Sequence, residues 1–484
     1  MSTAGGLVDN SSPSSTWPDT RSFASIEVMA IVRINLQRFN ALAAHSRSPA
    51  AAFVSREMDW FANETETLLA TLMLDTEDDD FVGIILGRDE GGRFRCIDVA
   101  SGIPTPEEAS AWIERAMAWH GRDGQKVFPQ GDATKQAKPL DLFTPVVPPE
   151  RLHPSFAKLC QIRAFAPARQ LISEIMPHYV DVDGNFVEQF QTGGFDARLW
   201  ELYLNCYLVE EQLFMDRDHD RPDFLVTKYG KSVAIEATIV GRRSDKPVSY
   251  FKTELSLPDN HEEVQRQHEN EIPIRFGSPL FSKLRKRYWE LDHVKGLPLV
   301  FAIADFHDDQ SMMWTSTALL HYLYGVRHDF HFDDGGQLVI TPLKIEKHQV
   351  GNKEIPSGFF FQPEAEHVSA VLFSASGTIS KFNRLGRQAG FKAPGLVMVR
   401  MGTRHDHDPN AHLPRPFKYL VDEEARETWA EGLSMFHNPN ALRPVPEELF
   451  PTIAHHRFQD GQIASRLPEF HPYASVTLNM IGKE

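Results

Sequence analysis

The stretch RPDFLVTKYGKSVAIEAT, residues 221–238, predicts two β-strands joined by a tight turn at Tyr229 and Gly230. Both halves are rich in β-branched and aromatic residues, which favour strands. Asp223 begins the first strand and Glu236 lies within the second, so the hairpin can bring their carboxylates to the same end. Two carboxylates held that close repel each other unless a proton or a cation lies between them. The hairpin therefore predicts a carboxylate pair that needs a positive partner.

A divalent cation is one such partner. Glu236 lies inside the apolar run VAIEATIV and shares a strand face with Thr238, so its carboxylate is expected to be buried. Mg²⁺ or Mn²⁺ prefers oxygen ligands and accepts one or two carboxylates plus water. Such an ion assists hydrolysis of a phosphodiester. The alternative is that Asp223 only caps its strand after Pro222 and that Glu236 is a solvated hairpin position.

The segments around the hairpin predict a mixed α/β fold. FDARLWELYLNCYLVEEQLF, residues 195–214, has the apolar spacing of a largely buried helix. SPLFSKLRKRYWEL, residues 278–291, begins with Ser-Pro and continues as a basic amphipathic helix. LPLVFAIADF, residues 297–306, and VSAVLFSAS, residues 368–376, are apolar runs expected to form buried strands. The second run is followed by a short predicted helix in GTISKFNRLGRQ.

The Pro-Asp pair, the E-A-T at 236–238 and the preceding helix with WELYL together resemble the PD-(D/E)XK nuclease superfamily. The resemblance covers about residues 195–306. It implies a restriction-endonuclease-like mixed sheet flanked by helices, and hydrolysis of DNA with Mg²⁺ or Mn²⁺; RNA stays open as a partner. GNFVEQFQTGGFDARLWELYL, residues 184–204, is similar to segments of bacterial proteins and suggests genome defence by association.

The resemblance also implies site residues. By position it assigns metal binding to Asp223, Glu236, the backbone carbonyl of Ala237 and, on the preceding helix, Glu201. The superfamily has lysine where this chain has Thr238. Some members take the cation from the following helix, and here the candidates are Lys283 and Lys286, which are spaced i, i+3 and are therefore expected near one helix face. The arginines expected to hold a nucleic-acid backbone are Arg242, Arg243, Arg285 and Arg287.

Two other functions stay open. Thr238 in place of lysine is compatible with a catalytically silent protein that keeps the fold and only binds nucleic acid or assembles with partners. A hydrolase of small phosphoesters would use the same carboxylates inside a deep pocket. The basic helix at 278–291 has its own alternative, a solvated face without contact to the carboxylates.

The chain of 484 residues is long enough for several parts. The expected division is a disordered tail at 1–24, an α+β binding or assembly module at 25–122, a linker at 123–150, a nuclease-like core at 151–390 with an irregular surface insertion at 241–275, and a C-terminal extension at 391–484 packing on the core. In the module, FVGIILG and RFRCIDVA flank a DEGG turn, and Thr105-Pro106 begins a helix.

Composition limits the function classes. The formal charge of −16 argues against a generally basic surface, although a local basic face is enough for nucleic acid. Three scattered cysteines predict reduced, buried thiols and a cytoplasmic protein. No apolar run is long enough to predict a membrane span, and a homo-oligomer stays open. RHDHDPNAH, residues 404–412, has metal-ligand residue types, but its spacing favours a solvated loop.

Overall fold

The computed structural model describes residues 30–131, 140–182, 184–242 and 261–482 and has a mixed α/β fold. The helices are α1 Leu36–Ala43, α2 Pro106–Gly121, α3 Pro154–Gln161, α4 Ala166–Ile175, α5 Phe186–Gln191, α6 Phe195–Glu210, α7 His261–Arg266, α8 Ile272–Leu284, α9 Ser316–Tyr324 and α10 Ile379–Gln388. The strands are β1 Ile31–Ile34, β2 Ser55–Asn63, β3 Leu68–Asp75, β4 Phe81–Arg88, β5 Phe94–Ile103, β6 Phe214–Asp216, β7 Phe224–Lys228, β8 Lys231–Val240, β9 Leu299–Asp305, β10 Val326–Phe332, β11 Leu338–Lys344, β12 Lys347–Val350, β13 Lys353–Pro356, β14 Ala370–Ser374, β15 Leu396–Arg404, β16 Arg415–Leu420, β17 Leu433–His437, β18 Ala454–Gln459, β19 Gln462–Arg466 and β20 Pro472–Ile481.

The N-terminal sheet is an antiparallel meander in the order β1-β2-β3-β4-β5, with α2 packed on it. The predicted β4–β5 hairpin and the predicted helix start are both confirmed. Thr105 Oγ1 accepts a hydrogen bond from the backbone N–H of Glu108 at 3.2 Å, and Pro106 is the first helical residue. Gly83 on β4 lets α2 approach closely, because a Cβ there would lie 2.6 Å from the Trp112 ring.

The main sheet has the strand order β19-β18-β17-β14-β9-β8-β7-β6. Its centre, β8-β9-β14, is parallel, while β17 runs antiparallel to β14 and parallel to β18. The predicted hairpin at 221–238 is confirmed as β7 and β8. Tyr229 and Gly230 have φ angles of 55° and 70°, the left-handed conformations that a two-residue turn between twisted strands requires.

The main sheet lies between two layers of helix. Trp200 on α6 packs on one face and donates its Nε1–H to the carbonyl of Ala302 at 3.1 Å. Helices α8 and α9 cover the opposite face. On β8 the predicted alternation is confirmed: Val233, Ile235 and Ala237 join the α6 cluster, whereas Ala234 and Val240 join the α8–α9 cluster. Strand β9 is buried along its whole length, as predicted for a central strand.

The expectation of an irregular insertion at 241–275 is wrong for residues 261–275. Residues 261–271 are already helical and lead directly into α8. The helix start predicted at Ser278-Pro279 is therefore also wrong, and Pro279 lies inside α8. Buried side chains recur every fourth residue at Ile272, Phe276, Leu280 and Leu284, and this packing maintains the helix through residues of poor helix propensity.

The segment predicted as a linker packs on the body of the protein in its described residues, 123–131 and 140–150. Phe128 and Leu142 are buried. The buried side-chain amide of Gln191 donates to the carbonyls of Leu142 and Thr144 at 2.9 and 2.8 Å and accepts from the N–H of Val146 at 2.8 Å.

Arg243 and the predicted tail at 1–24 lie outside the described residues.

The C-terminal residues contribute to two sheets. Strand β15 pairs with β16 and β20 in a separate antiparallel sheet, while β17, β18 and β19 belong to the main sheet. The main sheet therefore crosses the expected boundary at residue 390.

The cysteines are free, as expected, but only Cys206 on α6 is buried. Burial of all three was predicted wrongly: Cys96 points outward from β5 and is exposed, and Cys160 is half-buried. Among the described residues, no helix combines the length and apolar character needed to cross a membrane.

Candidate carboxylate–lysine site

Asp223 and Glu236 meet where β8 extends past its partner strand. Strand β7 begins at Phe224, opposite Ile235, so Glu236 and Ala237 have no partner residue on β7. The side chain of Asp223 takes the place of the missing strand partner, and its Oδ2 accepts the N–H of Ala237 at 2.7 Å. The hairpin thus brings both carboxyl groups to one end of the β7–β8 pair.

Glu236 has partners on only one of its two carboxylate oxygens. The ammonium of Lys283 and the hydroxyl of Tyr288 both donate to Oε1, the latter at 2.5 Å. Oε2 is buried and has no hydrogen-bond partner among the described residues. Glu236 is only 3% exposed. A buried carboxylate oxygen without a donor is costly, so this oxygen marks a place where a cation would be stabilised.

Three carboxyl groups act on one another electrostatically at this site. Burial, followed by the negative charges of Glu236 and Glu201, raises the pKa of Asp223 to about 8, although the Ala237 amide and Lys283 oppose the shift. Burial also raises the pKa of Glu201, which Arg198 and Lys283 counteract. The carboxyl groups therefore favour either protonation or a bound cation.

The donor set fits a hard divalent ion. Asp223 and Glu236 supply carboxylate oxygens, and the carbonyl of Ala237 faces the same side as its N–H, toward Asp223. Glu201 is held differently, because its Oε2 accepts from Arg198 Nη1 at 2.6 Å. Glu201, Asp223 and Glu236 do not form one compact triad. Among the described residues, a group of three such ligands with all ligand atoms within 4.8 Å of one another occurs in another part of the fold. Glu201 suits an outer position better than direct coordination.

Of the two candidate lysines, the structure brings only Lys283 to the carboxylates. Lys283 lies on the last turn of α8, with 18% of its side chain exposed. Helix α8 ends at Leu284, so the prediction that Lys286 shares a helix face with Lys283 is wrong. The Lys286 ammonium instead lies 5.8 Å from the centroid of the Tyr288 ring.

Tyr288 is the site residue that the sequence analysis missed. The chain reverses direction after α8 through Arg287, which has a φ of 48°, and this reversal buries Tyr288 against Glu236. Burial and the charges of Glu236 and Asp223 raise the pKa of the Tyr288 hydroxyl, so it acts as a hydrogen-bond donor. The only signal in the sequence was an aromatic residue directly after a basic run.

The predicted arginines differ in their surroundings. Arg242 pairs with Asp309 at 2.6 Å and Asp196 at 3.5 Å, and Arg287 pairs with Glu290 and Glu364, both at 2.7 Å. Arg285 and Lys286 are exposed just after α8. The loop at 404–412 has no helix or strand after Arg404 and is largely exposed, in agreement with the predicted solvated loop.

Comparisons of this chain with protein-family models, with curated proteins and with solved structures gave no match.

Proposed function

We propose that this chain is a divalent-metal-dependent nuclease with a restriction-endonuclease-like core and that it hydrolyses phosphodiester bonds of DNA. The observation that carries the proposal is the contact of Lys283 with Glu236, beside Asp223 and an unpartnered buried carboxylate oxygen. Two acidic groups with one lysine are the residue types that metal-assisted phosphodiester hydrolysis needs. Here the lysine comes from a helix, since Thr238 occupies the usual lysine position.

Mg²⁺ or Mn²⁺ would be held by Asp223, Glu236 and the carbonyl of Ala237. A bound ion of this kind generates hydroxide from water and neutralises charge on phosphate. Arg198 fixes the carboxylate of Glu201, which leaves Glu201 suited to orienting a water molecule. Tyr288 fixes Oε1 of Glu236 and thereby keeps Oε2 directed away from the two donors.

Lys283 supplies a positive charge next to the reacting phosphate. A preorganised cation in a water-poor site stabilises charge that develops in the transition state more strongly than one in water. Arg285, exposed after α8, would hold the DNA backbone close to this group. Binding through such contacts weakens steeply as salt rises.

The proposal is tested by cleavage of supercoiled and single-stranded DNA with Mg²⁺ or Mn²⁺. Glu236→Gln is the decisive variant, because the amide keeps an oxygen for Lys283 and Tyr288 but removes the negative charge. We expect cleavage by the wild type and at least a hundredfold loss in the variant, on the order of other single electrostatic groups. Equal cleavage by both proteins would assign the activity to a contaminant and overturn the proposal.

A non-cleaving nucleic-acid binder is the second candidate, and Thr238 is the observation that favours it. It predicts DNA binding without divalent metal and no cleavage by the wild type. A small phosphodiester, bis-p-nitrophenyl phosphate, serves as a further substrate in the same assay. Hydrolysis of this compound without DNA cleavage would replace the nuclease by a hydrolase of small phosphoesters.

A further inference from the structure

A second group of ligand-type side chains lies on the other side of the main sheet's centre. It consists of His437 at the end of β17, Glu447 in a short 3₁₀ turn and His455 on β18. Strands β17 and β18 are parallel neighbours, and Met435 lies opposite His455. Strands β9 and β14 lie between β8 and β17, so β17 is about 14 Å from β8 within the sheet at roughly 4.8 Å per strand.

The spacing of the three ligand atoms fits a small metal ion. His437 Nε2 donates a hydrogen bond to His455 Nδ1 at 2.9 Å, so a metal ion would replace this proton, which moves to Nδ1 of His437. Glu447 Oε1 lies 3.6 Å from His437 Nε2 and 3.9 Å from His455 Nδ1, too far for a hydrogen bond to either nitrogen. Ligands of a tetrahedral Zn²⁺ at about 2.0–2.1 Å are separated by roughly 3.3 Å, and the three observed distances lie on both sides of that value.

The backbone fixes the tautomer of His455 that a metal requires. His455 Nε2 lies 2.8 Å from the carbonyl of Phe450, so it carries the proton and leaves a lone pair on Nδ1. In metal sites, a histidine ligand usually donates its other ring N–H to a backbone carbonyl, a carboxylate or water.

We propose that His437 Nε2, His455 Nδ1 and Glu447 Oε1 bind one Zn²⁺ ion, independently of the carboxylate–lysine site. Two imidazoles and a carboxylate are typical zinc ligands, and a set of three leaves a fourth position for water. The Glu447 side chain is 27% exposed, so this position opens toward solvent. The ion would join β17, β18 and the connection between them.

Two arginines compete with the ion for Glu447. Arg457 lies 2.6 Å from Oε1 and Arg466 lies 3.4 Å from Oε2. Nε of Arg457 also donates to Oε1, at 2.8 Å, so the ion must displace one of the two Arg457 contacts to bind this oxygen. Hydrogen bonds of this kind orient a ligating carboxylate, while the positive charges weaken binding. Arg457→Gln is therefore expected to tighten Zn²⁺ binding, because it removes a positive charge and the contacts that compete for Oε1.

The test is Zn²⁺ titration of the metal-depleted full chain by calorimetry, in a Glu236→Gln background that disables the carboxylate–lysine site. Co²⁺ is titrated in parallel, because its visible absorption reports tetrahedral coordination. We expect one equivalent of Zn²⁺ to bind and raise the melting temperature. Glu447→Gln and His437→Gln should each weaken binding at least tenfold.

His407→Gln is the matched control, because His407 lies in the exposed histidine-rich loop at 404–412 and should leave binding unchanged. The absence of Zn²⁺ binding, or binding that survives in Glu447→Gln and His437→Gln, would overturn the proposal. Loss of binding in His407→Gln would overturn it too, by assigning the ion to the loop. If a substituted chain does not fold, the Co²⁺ spectrum of the Glu236→Gln protein decides: a spectrum without tetrahedral bands contradicts the site.

Discussion

Lys283 on α8 donates a hydrogen bond to Oε1 of Glu236 on β8, across 47 residues of sequence. The two side chains meet because Glu236 points to the sheet face that α8 covers. Tyr288 donates to the same oxygen at 2.5 Å, so the ammonium and the hydroxyl together fix the carboxylate. A lysine two positions after an acidic residue would reach the same face from the strand itself. In this chain the cation that contacts Glu236 comes from helix α8 instead.

Lys283→Ala should lower DNA cleavage by about a hundredfold or more, because a preorganised charge at the reacting group is lost. Lys286→Ala is the matched control: its charge lies beyond the end of α8, so its cleavage rate should stay close to that of the wild type. Initial rates in Mn²⁺ at a fixed salt concentration measure both. A larger loss in Lys286→Ala than in Lys283→Ala would contradict the assignment.

Thr238→Lys should restore cleavage to the Lys283→Ala protein, because residue 238 lies on the same face of β8 as Glu236. The rescue is specific to a cation, so Thr238→Met in the same background should remain inactive. Rates of the two double variants, compared with Lys283→Ala alone, measure the effect. Equal rates for the Lys and Met versions would show that position 238 cannot supply the charge.

The stability of the protein should fall as pH decreases from 6.5 to 4, in part because of His471. Burial, with the nearby charge of His405, lowers the pKa of His471 from 6.5 to about 4. The unfolded chain binds a proton in this range that the folded chain does not, so the free energy of unfolding rises with pH. The full shift corresponds to about 3 kcal/mol.

His471→Gln should therefore flatten the pH dependence, by up to about 1.4 kcal/mol per pH unit. Urea unfolding at pH 4, 5, 6 and 7 measures the slope, and His412→Gln, in the exposed loop, is the control. Parallel curves for His471→Gln and the wild type would refute the argument.

Glu427→Gln should destabilise the chain by about 3–5 kcal/mol, because it leaves buried cations without their counter-ion. Glu427 lies 2.6 Å from Arg384, 2.9 Å from Lys381 and 3.3 Å from Arg400. Although burial acts in the opposite direction, these cations hold the pKa of Glu427 well below its usual range. Denaturant unfolding measures the loss.

Glu424→Gln, at an exposed position nearby, should have almost no effect on the free energy of unfolding. The double variant Glu427→Gln with Arg384→Gln should lose less than the sum of the two single losses. Strict additivity would mean that the two side chains do not stabilise each other.

The hairpin and the buried strands could be predicted from local sequence. Tyr229-Gly230 between two β-rich runs specifies the turn, and the continuous apolar run at 299–305 specifies a strand covered on both faces. The start of helix α8 could not be predicted in the same way. Gly277 and Pro279 have poor helix propensity, and the helix forms across them because Ile272, Phe276 and Leu280 bury their side chains against the sheet. Tertiary packing outweighs local propensity there.

The two carboxylates of the candidate site could be predicted from the sequence, but not all of the side chains that contact them. Asp223 and Glu236 are placed by a hairpin, which local residues determine. Lys283 could be proposed because it lies in a basic stretch that was predicted to be helical. That Lys283 and not Lys286 contacts Glu236 could not be predicted, because it depends on where α8 ends. Tyr288 depends on the left-handed conformation of Arg287, which no local pattern indicates. The metal-dependent activity stays a prediction until cleavage is measured.

The position of β17 next to β14 has a consequence for synthesis on the ribosome. Strand β14 ends at Ser374 and is translated about 60 residues before β17 begins at Leu433, which takes roughly 3–12 s at about 5–20 residues per second. During that time β14, with every residue buried in the finished sheet, has an unpaired apolar edge. Such edges pair with other chains. We expect chains truncated before residue 433 to aggregate, and efficient production to depend on chaperones that cover this edge until the last strands emerge.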